Sequence, residues 1–149
     1  MADSDMIKLY SGRILELTAD IPFTERLDSP DATVRKRSPL CGSSVTVDLN
    51  VADGRVTGFG QDVKACALGQ ASAAVVGHAI LGRTRAELET ARDQLKAMLK
   101  SDGPVPDAPF DGLEVLQPAK DYKNRHASIL LTLDAATEAF AQAEASACA

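Results

Sequence analysis

Tryptophan is absent, and aromatic residues of all kinds make up 4% of the chain. A core without large rings relies on aliphatic and small side chains, which suits closely packed helices. No uninterrupted apolar stretch reaches the roughly 20 residues that a membrane-spanning helix needs, and residues 1–30 hold no apolar run like a signal peptide. These two absences lead to an expected cytoplasmic location with no membrane partner. Net positive charge is missing too. The formal charge is -5, which removes the phosphate attraction on which sequence-independent nucleic-acid binding rests. Cysteine is scarce. Three cysteines are an odd count, and in a reducing compartment they point to thiol or metal chemistry instead of a disulfide framework.

With 149 residues, 45% hydrophobic and 25% charged, the chain reads as one domain, 1–149, long enough to bury its own core. Met6, Ile7, Tyr10, Ile14, Leu15 and Leu17 recur at mostly helical spacing and place an amphipathic helix over 6–18. Ile21-Pro22 and Ser29-Pro30 then interrupt regular structure. Residues 32–37 read as a first strand. Apolar Val45, Val47, Leu49 and Val51 alternate with polar Ser44, Thr46, Asp48 and Asn50, the pattern of a half-buried antiparallel strand. Asp53-Gly54 supplies a hairpin turn, and residues 55–63 return as a third strand, where Gly58 and Gly60 signal a bulge or a close backbone approach.

Small residues dominate from Cys66 to Leu81, so a helix there can lie close to its neighbours, and Gly82 closes it. Thr84-x-x-Glu87 is a capping box for the next helix, whose Leu88, Ala91, Leu95, Met98 and Leu99 form one apolar stripe. A Pro-rich loop follows from Asp102 to Pro109. A last helix starts at Ala127 or Asp134 and runs to Ala147, with Leu130, Leu133, Ala136 and Phe140 as its buried side. Strands first and helices later argue for an α+β fold, helices packed on one face of a small three-stranded antiparallel sheet.

Two cysteines bracket the hairpin. Cys41 lies in a turn before its first strand and Cys66 follows its second, so both fall at the same end of the sheet. Cys66 stands at a helix start, where unpaired backbone N–H groups and the macrodipole favour an anion. His78 is twelve residues further along the same helix, about 18 Å away, and reads as a surface or structural residue. His126 sits at a loop-to-helix boundary from which it can reach the cysteine pair. Arg35, Lys36 and Arg37 read as a solvated strand edge whose position leaves room for a positive field near Cys41.

Taken together, the N-terminal helix with Leu9-Tyr10, Pro39-Leu40-Cys41-Gly42, the hairpin, Cys66 followed by Ala71-Ser72-Ala73, and His126-Ala127-Ser128-Ile129-Leu130 resemble the U-type iron-sulfur cluster assembly scaffolds, the IscU, SufU and NifU N-terminal family. The resemblance implies that Cys41 and Cys66 are the family's first and second cysteines and that His126 is the histidine preceding the third. The family's aspartate is replaced by Ser43 and its third cysteine by Ala127. A [2Fe-2S] cluster wants four ligands, mostly thiolates, whereas two thiolates and an imidazole with an open position also suit Zn(II).

The implied function is an iron-sulfur cluster assembly scaffold or sulfur acceptor, not an enzyme. It would receive sulfur from a cysteine desulfurase, hold iron, Zn(II) or a transient iron-sulfur cluster at Cys41, Cys66 and His126, and serve recipient apo-proteins, with a homodimer as one arrangement. Two other readings compete: a degenerate member acting as a metal-free binding or regulatory module, and a thiol enzyme with Cys66 as nucleophile and His126 as base. Cys148, the remaining thiol, lies about 30 Å along the last helix from His126 if that helix is continuous.

Overall fold

Alternation in the sequence becomes a three-stranded antiparallel sheet of order β1-β2-β3. The computed structural model describes residues 12–39 and 42–148, with side chains through Ser146. Cys41 and the first part of the expected N-terminal helix lie outside the described residues. Helix α1 spans Gly12–Thr18, and strands β1, β2 and β3 span Ala32–Arg37, Ser44–Ala52 and Arg55–Lys64. Helices α2 and α3 follow at Ala67–Ala79 and Arg85–Lys100, then a 3-10 helix at Asp111–Asp121 and the long α4 at Lys123–Cys148.

Val45, Val47 and Leu49 of β2 are buried, as are Ala32 and Val34 of β1 and Phe59 of β3. They share one face because opposite residues in an antiparallel register point the same way: Val34 pairs with Val47, and Leu49 with Phe59. Helix α4 covers this face along β1 and β2, and α2 packs between α1 and α4. The expected buried sides hold, since Leu130, Leu133, Ala136 and Phe140 of α4 and Leu88, Ala91, Leu95, Met98 and Leu99 of α3 are all enclosed. Thr84 caps α3 with the full reciprocal box to Glu87, and the Thr84 amide leads the contacts that hold the Glu87 carboxyl below its ordinary pKa.

The opposite face is partly covered by the connection between α1 and β1. Asp48 is polar in the alternation, yet it is fully enclosed. Arg26 donates to it through Nε at 2.6 Å and through a terminal nitrogen at 3.0 Å, the Leu27 amide at 3.0 Å and Thr33 Oγ1 at 2.6 Å. A Cβ on Gly60 would come within 2.5 Å of the Glu25 carbonyl oxygen. This is the close backbone approach that the strand glycines announce, and it lets residues 23–27 lie along β3, where the Gln61 amide donates to the Phe23 carbonyl at 2.8 Å.

Three boundaries differ from expectation. Helix α4 begins at Lys123, earlier than either start read from the sequence. The stretch 111–121, unassigned by periodicity, forms a 3-10 helix that contains Pro118. Helix α2 ends at Ala79, with Gly82 at φ 84° in the following turn.

Asp134 of α4 is largely buried, and burial pushes its pKa above 3.8 despite the fields of Arg92, Lys36 and Lys96. The folded chain therefore holds this proton more tightly than the unfolded chain, and stability falls as pH rises through the folded pKa. Asp134→Asn is expected to raise Tm at pH 7 by about 2 °C, with the gap closing as pH drops toward 3.8. An unchanged or lower Tm at pH 7 contradicts this.

Candidate functional site

The β1–β2 connection, residues 38–43, closes on itself at one end of the sheet. The Gly42 amide donates to the Ser38 carbonyl at 3.0 Å and the Ser38 amide to the Ser43 carbonyl at 2.8 Å. Gly42 takes φ +70°, a conformation that glycine adopts without the penalty of a Cβ. This loop carries Cys41. The β2–β3 turn lies at the far end of the sheet, with Asp53 at φ 54° and Gly54 at φ 74°. Because Ser44 pairs with Lys64, the loop and the segment leaving β3 meet at the same end, as the hairpin argument requires.

Cys66 occupies the N-cap of α2 in an extended conformation (φ -66°, ψ 170°), and its side chain makes no capping hydrogen bond. Its backbone is fixed on both sides: the Gln70 amide donates to the Cys66 carbonyl at 2.9 Å, and Gln70 Nε2 donates to the Ala65 carbonyl at 2.8 Å. Cys66 is half-buried.

Ser128 of α4 links the two segments. Its Oγ lies 3.5 Å from Cys66 Sγ and donates to Ser43 Oγ at 3.1 Å. Cys66, Ser128 and Ser43 thus form a continuous hydrogen-bonded run between α2, α4 and the loop that carries Cys41. Gly69 permits this approach, since a Cβ there would lie 2.6 Å from Ser128 Oγ and 2.8 Å from Ala65 Cβ. A second tie, from Ser72 Oγ to the Ile129 carbonyl at 2.7 Å, holds the same two helices together in the core. Ser128 was legible only as part of the His126–Leu130 segment. Its bridging role rests on contacts 62 and 85 residues apart in sequence.

His126 is 2% exposed, and its Nε2 is 2.9 Å from the Ala119 carbonyl oxygen. A carbonyl only accepts, so Nε2 is the donor in this contact, which leaves Nδ1 as the lone-pair nitrogen of the neutral ring. Metal-binding histidines commonly have their tautomer fixed in this way. The hydrogen-bond partner of His126 is the Ala119 carbonyl, whereas Ser128 contacts Cys66 and Ser43. His78 is half-exposed and meets Asp20 at 3.2 Å, a surface pair as expected.

Among the described residues, no three His, Cys, Asp or Glu side chains form a metal group. Ser43 and Ala127 stand where the resemblance calls for carboxylate and thiolate, and Cys41 is outside the described residues. Helix α4 runs unbroken to Cys148, so the backbone of that residue is about 33 Å along the axis from His126. No helix among the described residues is long and apolar enough to cross a membrane.

No protein-family model and no curated protein matches the chain. Solved structures do. A NifU-like protein (N-terminal) from Brucella abortus superposes with a TM-score of 0.92 at 45% identity, over 95% of this chain and 98% of that one. A protein described as an iron-sulfur cluster assembly scaffold for the SUF system (FiSufU), from the thermophile Fervidobacterium islandicum AW-1, shares the fold with a TM-score of 0.78 at 20% identity, over 90% and 98% of the two chains. A hypothetical protein shares it at 0.70 and 18% identity, over 86% and 96%. With that identity sustained over nearly the whole of both chains, this protein belongs to the NifU-like N-terminal family.

Proposed function

We propose that this protein is a single-domain iron-sulfur cluster assembly scaffold that accepts sulfur from a cysteine desulfurase and passes its cargo to recipient apo-proteins. The observation that carries the reading is the half-exposed Cys66 at the N-cap of α2, tied through Ser128 to the loop that bears Cys41, in a chain 45% identical to a NifU-like protein. Cys41, Cys66 and His126 are the proposed ligands. Cys66 and Cys41 supply thiolates, and His126 supplies Nδ1, its tautomer set by Ala119.

The missing carboxylate and third thiolate set the character of the site. A hydroxyl stays protonated near neutral pH, so Ser43 is a poor ligand, and Ala127 has no donor. Three ligands hold an iron-sulfur cargo less firmly than four, which suits transient loading with an outside group in the fourth position. Zn(II), when bound by the same three residues, supplies charge that keeps both thiols deprotonated.

Sulfur acceptance needs no other cofactor. The Cys66 thiolate attacks the outer sulfur of the desulfurase persulfide. A new S–S bond forms on Cys66, the donor's S–S bond breaks, and the donor cysteine leaves as thiolate. Incubation with a cysteine desulfurase and cysteine, followed by intact-mass measurement, is expected to show gains in steps of about 32 Da, one sulfur atom each. A mass that stays unmodified under conditions that load a known acceptor contradicts the proposal.

The Ser43–Ser128 hydrogen bond favours a second reading, because it satisfies hydroxyls within the protein at a position the family gives to a carboxylate. In that reading the chain is a metal-free binding or regulatory module of the assembly machinery. Complementation that survives Cys41→Ala and Cys66→Ala but fails with substitutions over 35–37 selects it.

A further inference from the structure

Cations gather without partners at the end of the sheet that carries Cys66. Arg35 and Arg37 alternate along β1, and the register places them opposite Thr46 and Ser44, on the face away from α4. Ser44 pairs in turn with Lys64 at the end of β3, two residues before Cys66. All three cations are exposed, and among the described residues none takes part in an ion pair. Asp62, paired with Thr46, is the carboxylate that shares these two rows. Lys36 lies between the two arginines but faces the helices, where Glu138 holds it at 3.1 Å. The contrast separates a cation used within the fold from two directed outward.

The same strand has an open edge. β1 pairs with β2 alone, and among the described residues nothing pairs with its other side, so its outward N–H and C=O groups form a template for an added strand. We propose that an extended acidic segment of a partner protein adds to β1 as a fourth strand, its carboxylates at alternate residues meeting Arg35 and Arg37. Residues of one face repeat about every 7 Å along a strand, so a segment with a carboxylate at every second position matches the arginines in spacing as well as in charge. A second copy of this chain fits poorly, because β1 against β1 sets arginines against arginines. Nucleic acid fits poorly with a net charge of -5. The inference deepens the scaffold reading and rests on it: the partner is the protein that delivers sulfur to, or takes cargo from, the site at this end of the sheet.

The test uses the full chain and a fluorescent peptide with Glu at alternate positions and Val or Thr between, followed by anisotropy. Wild type is expected to bind, Arg35→Gln/Arg37→Gln to bind about tenfold more weakly, and Arg35→Lys/Arg37→Lys to retain most of the affinity. Peptide N-methylated at alternate backbone positions along the pairing edge is expected to lose binding to a similar degree. Equal binding of the N-methylated peptide overturns strand addition. Equal competition by a single-stranded oligonucleotide overturns the acidic-peptide partner, and self-association of wild type that the Gln variant lacks assigns the edge to a second copy. Peptide binding that fails while Cys66 still loads sulfur defeats this inference alone. Sulfur loading that fails while the peptide still binds defeats the scaffold reading instead.

Discussion

Cys66→Ser is expected to reduce sulfur loading to less than about a tenth of the wild-type extent, because a serine hydroxyl supplies no anionic nucleophile near neutral pH. Serine is close in size to cysteine and can keep the hydrogen bond to Ser128 that the thiol makes at 3.5 Å, so the fold and the α2 N-terminus stay as they are. A loss of the roughly 32 Da increments with an unchanged melting curve then reports chemistry and not misfolding. Cys41→Ser is the necessary comparison. If loading persists in Cys66→Ser and disappears in Cys41→Ser, the loop thiol is the acceptor and the α2 terminus serves only to hold what arrives.

Asp48→Ala is expected to destabilise the protein by about 2 kcal/mol. The carboxylate is fully enclosed, and its loss strands the Leu27 amide and the Thr33 hydroxyl, which approach it at 3.0 and 2.6 Å. Arg26, its ionic partner, has a side chain 55% exposed, Thr33 is exposed and Leu27 half-buried, so water replaces part of each contact and the cost stays well below that of a fully buried ion pair. The pH dependence has a definite sign. Burial alone raises the Asp48 pKa, but hydrogen bonds from Arg26, Thr33 and the Leu27 amide outweigh it and hold the carboxyl below 3.8. Its stabilisation is therefore complete above that value and is lost as pH falls through the lower, folded pKa. Wild type should exceed Asp48→Asn in Tm by a constant margin above about pH 5, and the margin should shrink below 3.8. A margin that grows on acidification contradicts the account. Asp134 has the opposite sign, since its folded pKa is raised, so the two carboxyls tilt the stability profile in opposite directions.

Local signals in the sequence proved sufficient where the structure depends on neighbours in sequence. Alternation from Val45 to Val51, the Asp53-Gly54 turn and the Thr84–Glu87 box each involve residues within a few positions of one another, and each appears as expected. Asp48 shows the limit of that reading. Period two marks it as polar and solvent-facing, whereas Arg26 and Leu27, 22 and 21 residues away, fold over it and make it a buried anchor. The 3-10 helix at Asp111–Asp121 lacks a clean period because three-residue turns, Pro118 and a mixed face blur it. At the site, Cys66 and the loop carrying Cys41 were legible from hairpin geometry. Ser128 and Gly69 were not, because their importance lies in how closely α2 and α4 approach.

Family membership accounts for the fold, and the proposed ligand set of Cys41, Cys66 and His126 is the central claim. X-ray absorption at the zinc edge, on protein loaded with one equivalent of Zn(II) under anaerobic conditions, measures it directly. The expected shell is two sulfurs at about 2.3 Å and a nitrogen at about 2.0–2.1 Å, with one further light atom. One sulfur is expected to vanish in each of Cys41→Ala and Cys66→Ala, and the imidazole signal in His126→Ala. A shell of oxygen and nitrogen alone, unchanged in the cysteine variants, would contradict a metal site at Cys41, Cys66 and His126.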